Sequence, residues 1–140
     1  MLVVDASVVV KFFVPEEGSA KALQILGYEP ELIAPAHCFA EVGETLVRKL
    51  RLGQLGEFQL AELAPSLSRM ISSAPLDELL TQAVNIAAET GASVYDCLYV
   101  ALATSEDCAL VTADRRLVAR MAGTAYAALL TPLDSFSGSP

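Results

Sequence analysis

The sequence predicts a helix-rich, three-layer α/β domain with a mostly parallel central sheet of about four or five short strands. Its 140 residues, of which 54% are hydrophobic, are enough for one domain with a real core and too few for two. Short apolar runs without polar–apolar alternation favour strands that are buried on both faces. Segments with helical spacing of apolar residues separate these runs, and such an alternation is typical of parallel sheets.

The N-terminal part of the chain is predicted to contain two strands and three helices. Ser7 is a suitable N-cap for the first helix, Pro15 and Gly27 are stop signals for the first two, and Gly53 ends the third. In chain order, the predicted elements are strand 2–5, helix 8–14, helix 19–26, strand 32–34 closed by Pro35, and helix 36–52.

The remainder of the chain is predicted to continue the same alternation. Residues 57–73 have helical spacing, with a second piece or a kink at Pro65. Asp77 is placed as the cap of the next helix, Gly91 as its C-terminal signal, and Ser93 as the start of the helix that carries Asp96. The later elements are a short strand at Leu76, helices 77–90 and 93–105, strand 109–112, a helix ending near 121, and strand 127–130. Residues 1–134 are assigned to a single domain and residues 135–140 to a flexible tail.

The composition gives no indication of a membrane span, a signal peptide or a disulfide scaffold. No apolar stretch approaches the roughly 18 residues needed to cross a bilayer, and the chain opens without a basic region or cleavage site. The three cysteines, Cys38, Cys97 and Cys108, form no CxxC pair and leave one over, which fits a reducing cytoplasm.

The net charge of −8 argues against a nucleic-acid partner, because Lys and Arg drive phosphate binding. Six of the nine basic residues nevertheless fall in two clusters, which lie just downstream of Glu41 and Asp114. Either cluster by itself is more simply explained as a solvated helix face. The clusters are Arg48, Lys49 and Arg51, and Arg115, Arg116 and Arg120.

Four acidic residues stand at the polar edge of apolar elements: Asp5, Glu41, Asp96 and Asp114. In a parallel α/β sheet, the strand ends and the helix starts that follow them gather along one edge, where ligands bind. Carboxylates gathered there repel one another and need cations to hold them together. Hard divalent ions such as Mg²⁺ or Mn²⁺ are the natural occupants of such a cup.

Each acid also has a structural explanation. Asp5 could be a turn residue, Asp114 an N-cap, and Asp96 the partner of Ser93 in a capping box. Glu41 could be an exposed helix residue in an ion pair. These alternatives stay open. They replace a shared site only if each of the four is true independently, and capping is compatible with ligand binding at a helix start.

Other chemistries have less support. His37 is the only histidine and is expected in a surface or capping role, and no Cys/His cluster, dinucleotide fingerprint, Walker loop or nucleophile elbow is present. An aspartyl-phosphate phosphatase would need a second Asp two residues after Asp5, where this chain has Ser7. Of Tyr95 and Tyr99, one is expected to pack in the core and the other to border the site.

Four segments, in their order and spacing, resemble those of the PIN-domain ribonucleases, and specifically the VapC-type toxins of bacterial and archaeal toxin–antitoxin pairs. Cys97 stands where that family usually has alanine, a small-for-small departure. The segments are V-V-D-A-S-V at 3–8, P-A-H-C-F-A-E-V at 35–42, S-V-Y-D-C-L-Y-V-A-L-A at 93–103 and L-V-T-A-D-R-R-L at 110–117.

The resemblance implies a PIN-like fold and a ribonuclease whose four acids hold one or two Mg²⁺ or Mn²⁺ ions. Ser7 and Thr112 would support the acids or contact a substrate phosphate. Some relatives carry a further acid after the last motif, where this chain has Arg115 and Arg116, so whether a second ion binds stays open. The residues expected to guide RNA phosphates are Arg48, Lys49, Arg51, Arg115 and Arg116.

The resemblance also implies two protein partners, a small antitoxin and a second copy of the chain in a homodimer. A mean hydropathy of +0.48 is high for a small acidic domain, which independently favours an apolar surface covered by another subunit. The alternative function is a PIN-like scaffold that binds RNA or protein without cutting RNA.

Overall fold

The fold is that of a computed structural model, which describes residues 1–28 and 30–137, the side chain of Phe58 apart. Its sheet has five short strands, and each neighbouring pair in it is parallel. The strands are β1 (Leu2–Val4), β2 (Leu32–Pro35), β3 (Ile71–Ala74), β4 (Leu110–Thr112) and β5 (Leu130–Pro132). Their spatial order is β3-β2-β1-β4-β5. The predicted three-layer α/β class is confirmed.

Helices occupy most of the connections between the strands. Their succession along the chain is the predicted one, with two helices, then three, then two, then one between consecutive strands. The helices are α1 (Ala6–Phe13), α2 (Ser19–Gly27), α3 (His37–Arg51), α4 (Glu57–Ala61), α5 (Leu63–Met70), α6 (Leu80–Thr90), α7 (Val94–Glu106) and α8 (Arg115–Met121). Two turns of 3₁₀ helix, Ala127–Leu129 and Leu133–Ser135, flank β5. No helix in the described part of the chain is long and apolar enough to cross a membrane.

The strand order places a topological switch point between β1 and β4. The chain leaves β1 toward β2 on one side, and after β3 it returns past β1 to β4 on the other side. Because such crossovers are right-handed, opposite directions place their helices on opposite faces of the sheet. The strand ends on either side of a switch point border a crevice in which α/β proteins bind ligands.

The core is formed by the two central strands and the helices that cover them. Val3, Val4, Leu110 and Val111 are fully buried, as expected for strands covered on both faces. The segment 97–103 of α7 is buried at every position, and this helix packs against β1, β2 and β4. A helix buried all round loses the amphipathic spacing that marks surface helices, which explains why its sequence is almost uniformly apolar.

Two predicted helix starts are wrong. Helix α1 begins at Ala6 with Asp5 at the N-cap position, so Ser7 is inside the first turn and does not cap. Helix α6 begins at Leu80, because the residues after Leu76 form a turn in which the Leu79 N–H donates to the Leu76 carbonyl at 3.0 Å. Asp77 therefore lies in a turn and caps nothing.

The third strand and its surroundings also differ from the prediction. The helical stretch predicted for residues 57–73 breaks at Glu62, and Pro65 lies inside the first turn of α5, where a missing N–H has no cost. Strand β3 then replaces the predicted strand at Leu76. It lies at the edge of the sheet, where Ser72 and Ser73 are exposed, and this polar pattern gives no signal of a buried strand.

The last strand lies later in the chain than predicted, and a residue after it packs against the domain. Strand β5 begins three residues later than the predicted strand 127–130 and ends two residues later, because Ala127–Leu129 forms a 3₁₀ turn. Phe136 packs its ring edge-on against Tyr28 at a centroid distance of 6.4 Å, and its carbonyl accepts a hydrogen bond from the Lys21 ammonium at 2.8 Å. Residues 138–140 of the predicted tail lie outside the described residues, and the flexible tail stays a prediction.

Candidate active site

Asp5 lies at the switch point, directly after β1, and its side chain is held by two hydroxyl groups. It is only 7% exposed. Ser7 Oγ donates to Asp5 Oδ2 at 2.9 Å, and Thr112 Oγ1 donates to the same oxygen at 2.6 Å. Both bonds go to Oδ2, which leaves Oδ1 without a side-chain donor in the described part of the chain.

The two hydroxyl groups are fixed in turn by the loop after β4. The backbone N–H of Ala113 donates to Ser7 Oγ at 3.1 Å, and that of Asp114 donates to Thr112 Oγ1 at 3.0 Å. Each hydroxyl therefore accepts one hydrogen bond from the backbone and donates one to Asp5. This network ties the end of β1 to the end of β4 across the switch point.

The pKa of Asp5 is higher than is usual for an aspartate. Burial raises its pKa to about 6, the hydrogen bonds from Thr112 and Ser7 oppose that rise, and the charges of Asp96 and Glu41 add to it. A carboxylate in a dry position near other carboxylates costs free energy when it is ionised, unless a cation is present. The contribution from two distant acids indicates that they share one electrostatic environment with Asp5.

Asp96 and Asp114 are both anchored at helix starts. Asp114 caps α8, since its Oδ1 accepts hydrogen bonds from the N–H groups of Arg116 at 3.0 Å and Leu117 at 3.2 Å. The N–H of Asp96 donates to the Ser93 hydroxyl at 3.1 Å, as expected for the N-cap of α7. Burial raises the pKa of Asp96, Ser93 lowers it, and the charge of Asp114 raises it. The N-cap predicted as an alternative for Asp114 is thus present, whereas of the capping box predicted for Asp96 only the bond from the Asp96 N–H to the Ser93 hydroxyl is present among the described residues.

Glu41 projects from the first turns of α3 and is held by two residues that the sequence does not mark as functional. Tyr99 donates its hydroxyl to Glu41 Oε1 at 2.6 Å, and His37 Nε2 lies 3.3 Å from the same oxygen. Burial raises the pKa of Tyr99 far above its usual range, so its hydroxyl keeps the proton and remains a donor. Glu41 Oε2 has no donor among the described residues.

His37 links α3 to the start of α7. Its Nε2 also lies 3.0 Å from the Tyr95 carbonyl, which places the ring proton on that nitrogen. Its Nδ1 is buried without a partner in the described part of the chain. The side chain is 11% exposed, so the predicted surface or capping role of His37 is wrong. Tyr99 packs in the core and Tyr95 is 67% exposed, but it is the packed ring that contacts the acid.

All four acids line one open depression at this edge of the sheet, and we call them the acidic cup (Asp5, Glu41, Asp96 and Asp114). Asp5, Glu41 and Asp114 share one arrangement, in which protein donors hold one oxygen and the other oxygen has none among the described residues. The same depression is lined by Lys11, Glu16, Thr45 and Lys49.

Comparison with known proteins identifies the family. The family model of the PIN domain matches residues 2–123. The chain belongs to the PIN-domain family. Ribonuclease VapC3 of Pyrobaculum aerophilum is 33% identical over 134 residues, which is 94% of this chain and 98% of the relative, so the chain belongs with the VapC ribonucleases.

Solved structures at lower identity agree with the PIN fold. A toxin–antitoxin complex from Klebsiella pneumoniae superposes with a TM-score of 0.70 at 16% identity, covering 95% of this chain and 98% of that one. VapC20 of Mycobacterium tuberculosis, described as a sarcin–ricin loop cleaving toxin, superposes with a TM-score of 0.66 at 19% identity, covering 90% and 98%. At these identities the likeness supports the fold alone.

The acidic cup of this PIN domain suits a hard divalent cation by its donor chemistry. Its ligands are carboxylate oxygens, and the pKa values of Asp5 and Asp96 are raised in part by the charges of their neighbours. As the side chains are placed, no three acidic, histidine or cysteine groups among the described residues stand close enough to hold one ion. Binding would therefore require some of these side chains to move closer together.

Each predicted basic cluster of this PIN domain is only partly at the site. Lys49 lines the depression of the acidic cup, and Arg116 and Arg120 line an adjoining depression with Asp96 and Asp114. Arg115 points elsewhere and pairs with Asp134 at 3.1 Å. Arg48 and Arg51 are exposed on the last turns of α3.

Sequence reasoning missed three residues at the site of this PIN domain, His37, Lys11 and Glu16, and it did not decide which of Tyr95 and Tyr99 would border the site. The spacing of His37 and Glu41 at i and i+4 on one helix was the available signal for the first contact. The contact between Tyr99 and Glu41 joins two helices 58 positions apart in the chain, and no local pattern reports it.

Proposed function

We propose that this PIN-domain protein is a divalent-metal-dependent ribonuclease and the toxin of a toxin–antitoxin pair, with the acidic cup as its catalytic site. The observation that carries the assignment of the site is the convergence of Asp5, Glu41, Asp96 and Asp114 on one depression at the switch point. Burial raises the pKa values of Asp5 and Asp96, and repulsion from neighbouring acids adds to the rise, so a bound cation would stabilise both ionised carboxylates.

Asp5 and Asp96 would hold one Mg²⁺ or Mn²⁺ ion, and Glu41 and Asp114 would hold a second ion or orient water. When bound, the ion lowers the pKa of a water molecule and stabilises charge on the scissile phosphate. Ser7 and Thr112 fix Asp5 Oδ2, so the carboxylate meets its ligand in one orientation. The Tyr99 hydroxyl likewise fixes Glu41 Oε1 and so orients that carboxylate.

Hydrolysis would use water, with one carboxylate of the acidic cup accepting its proton. In-line attack of water on the phosphorus breaks the bond to the 3′ oxygen and leaves a 5′-phosphate and a 3′-hydroxyl. Lys49 and Arg116 would guide flanking phosphates, with Arg48, Arg51 and Arg115 contributing from further out. Single-stranded or loop RNA is the proposed substrate, because an open groove can reach a splayed backbone.

Two partners and a location complete the proposal. A small antitoxin would cover the acidic cup with an apolar segment and a basic side chain, and a second copy of the chain would form a homodimer. Leu52, Leu80, Val84 and Tyr95 are exposed apolar residues available to such partners. Cytoplasmic action is supported by the three free cysteines.

Cleavage of RNA with and without Mg²⁺ or Mn²⁺ tests the proposal. The wild type is expected to cut only with the metal, and Asp5→Asn and Asp96→Asn are expected to lose cleavage while keeping the circular dichroism spectrum of the fold. Asp77→Asn removes an exposed turn carboxylate outside the cup and serves as the matched control, with wild-type cleavage expected. RNA binding without metal-dependent cleavage in the wild type would support the scaffold alternative instead.

A further inference from the structure

One carboxylate and two lysines form a bridge in the wall of the depression that holds the acidic cup. Lys11 Nζ lies 3.1 Å from Glu16 Oε1, and Lys49 Nζ lies 2.8 Å from Glu16 Oε2. We call these three residues the lysine bridge (Lys11, Glu16 and Lys49). All three line the same depression as Asp5, Glu41, Asp96 and Asp114.

The lysine bridge is built on a fixed loop. The N–H of Glu16 donates to Ser19 Oγ at 2.9 Å, and that hydroxyl donates to the Val14 carbonyl at 2.9 Å. Lys11 Nζ also donates to the Glu17 carbonyl at 2.6 Å. Gly18 has a φ of +88°, and a Cβ there would lie 3.2 Å from Lys11 Cε, so glycine lets the lysine stem pass close to the loop.

The charges of the lysine bridge do not balance. One carboxylate faces two ammonium groups, which leaves one positive charge beside four acids. Burial raises the pKa of Glu16, but the hydrogen bonds from Lys49 and Lys11 outweigh it, and the pKa is lowered overall. Glu16 is therefore ionised at neutral pH, and its two oxygens already occupy the positions that two oxygens of an anion would take.

A purely structural ion pair needs only one lysine for one carboxylate. Both lysine side chains here converge from the last turns of different helices, α1 and α3, and both keep some exposure, at 14% and 19%. Lys11 and Lys49 are the cationic residues that line this depression, among the residues described. A phosphodiester carries the same charge as Glu16 and presents two oxygens, and ammonium groups bind phosphate oxygens as point charges.

We propose that Lys11 and Lys49 bind one backbone phosphate of the RNA next to the scissile bond, and that Glu16 holds their ammonium groups until the RNA phosphate displaces it. This inference rests on the proposed function, since it names how the substrate of that site is held. Glu16 then competes with the RNA phosphate for the two ammonium groups. In the free protein it keeps both lysines in position and limits the binding of unrelated anions to the lysine bridge.

The test is the salt dependence of binding to a fluorescein-labelled single-stranded RNA oligonucleotide in EDTA, where cleavage is not expected. The lysine variants Lys11→Gln and Lys49→Gln should bind more weakly than the wild type, and Glu16→Gln should bind more tightly. For single strands, each phosphate contact changes the slope of log K against log salt by about 0.7. Lys49→Gln should flatten the slope by about that amount, and Glu16→Gln should steepen it by up to about as much.

Matched controls separate this effect from net charge and from stability. Arg69→Gln removes one positive charge and Glu78→Gln one negative charge at exposed sites outside the depression, and both should keep the wild-type slope. A structural role alone predicts lower melting temperatures for the lysine and Glu16 variants with unchanged slopes, and that result would overturn the inference.

The outcome also separates the inference from the function on which it rests. If the wild type binds and cuts RNA but Glu16→Gln and Lys49→Gln shift the slope in the same direction or not at all, the phosphate site is wrong and the nuclease stands. If the wild type neither binds nor cuts RNA, the proposed function fails as well.

Discussion

Replacing Asp5 by asparagine should stabilise the metal-free protein at neutral pH, although the same change should abolish cleavage. The hydroxyls of Ser7 and Thr112 both donate to Oδ2, and an asparagine carbonyl in that position accepts both bonds. The substitution therefore removes the charge of a buried carboxylate and keeps its hydrogen bonds. An ionised Asp5 is destabilised by burial and by repulsion from Asp96 and Glu41, and a neutral asparagine is not.

The magnitude follows from the pKa of Asp5, which is about 6 in the folded protein against an ordinary value of 3.8. Because the folded state holds the proton more tightly than the unfolded state, the free energy of unfolding falls as pH rises through this window. A pKa difference of roughly two corresponds to about 3 kcal/mol. The asparagine side chain does not titrate, so the Asp5→Asn variant should equal the wild type near pH 4 and exceed it by up to about 3 kcal/mol at pH 7.

Urea unfolding of both proteins in EDTA, at half-unit intervals from about pH 4 to about pH 7.5, measures the difference directly. Other groups titrate in both proteins, so only the difference between the two curves is compared. A difference that does not change with pH, or a variant less stable than the wild type at neutral pH, would refute the burial and repulsion argued for Asp5.

Three further predictions concern metal binding, the hydrogen bond that orients Glu41, and the oligomeric state. Mn²⁺ should raise the melting temperature of the wild type through binding linkage and raise that of Asp5→Asn much less; equal shifts would place the ion elsewhere. Tyr99→Phe should lower Mn²⁺ affinity about tenfold or more, measured by calorimetry, because Glu41 loses the donor that orients it; unchanged affinity would contradict that role. Light scattering at micromolar concentration should return a dimer, and a monomer would count against the covered apolar surface. Inhibition gives a fourth prediction, which follows from the charge of the cup. A peptide with an apolar anchor beside Phe12, Phe13 and Phe39 and one arginine should compete with Mn²⁺, because the guanidinium would take the place of the ion among the carboxylates. Excess Mn²⁺ should therefore weaken the peptide in a fluorescence titration, and an inhibitor complex with a fully occupied metal site and no basic group near Asp5 would contradict the mechanism.

The convergence of the four acids was predictable because it follows from topology. Asp5 and Asp114 follow buried strands, and parallel strands send their carboxyl ends to one edge of the sheet whatever the rest of the chain does. Their capping and support were only partly predictable. Ser93 and Asp114 cap as their local sequence indicates, and Ser7 reaches Asp5 from two residues away, but the Thr112 hydroxyl reaches Asp5 only because β1 pairs with β4.

The errors in the predicted fold arise where tertiary contacts override the local sequence pattern. Strand β3 is recruited to the edge of the sheet by pairing with β2, although Ser72 and Ser73 have no apolar periodicity. The start of α6 is displaced by a turn that the sequence marks only with Asp77. The pairing of Tyr99 with Glu41 needs two helices to be docked before it exists, so no window of sequence could contain it.

The hydrogen-bond network around Asp5 has a consequence for synthesis on the ribosome. Thr112 and Asp5 are 107 positions apart, so an emerging chain that still lacks β4 has an unpaired edge on β1 and an Asp5 without one of its two donors. Asp96 and Asp114 also come late in translation. A chain under construction therefore lacks a finished cup, and the nuclease acquires its site only when its last third has emerged and docked beside its first strand.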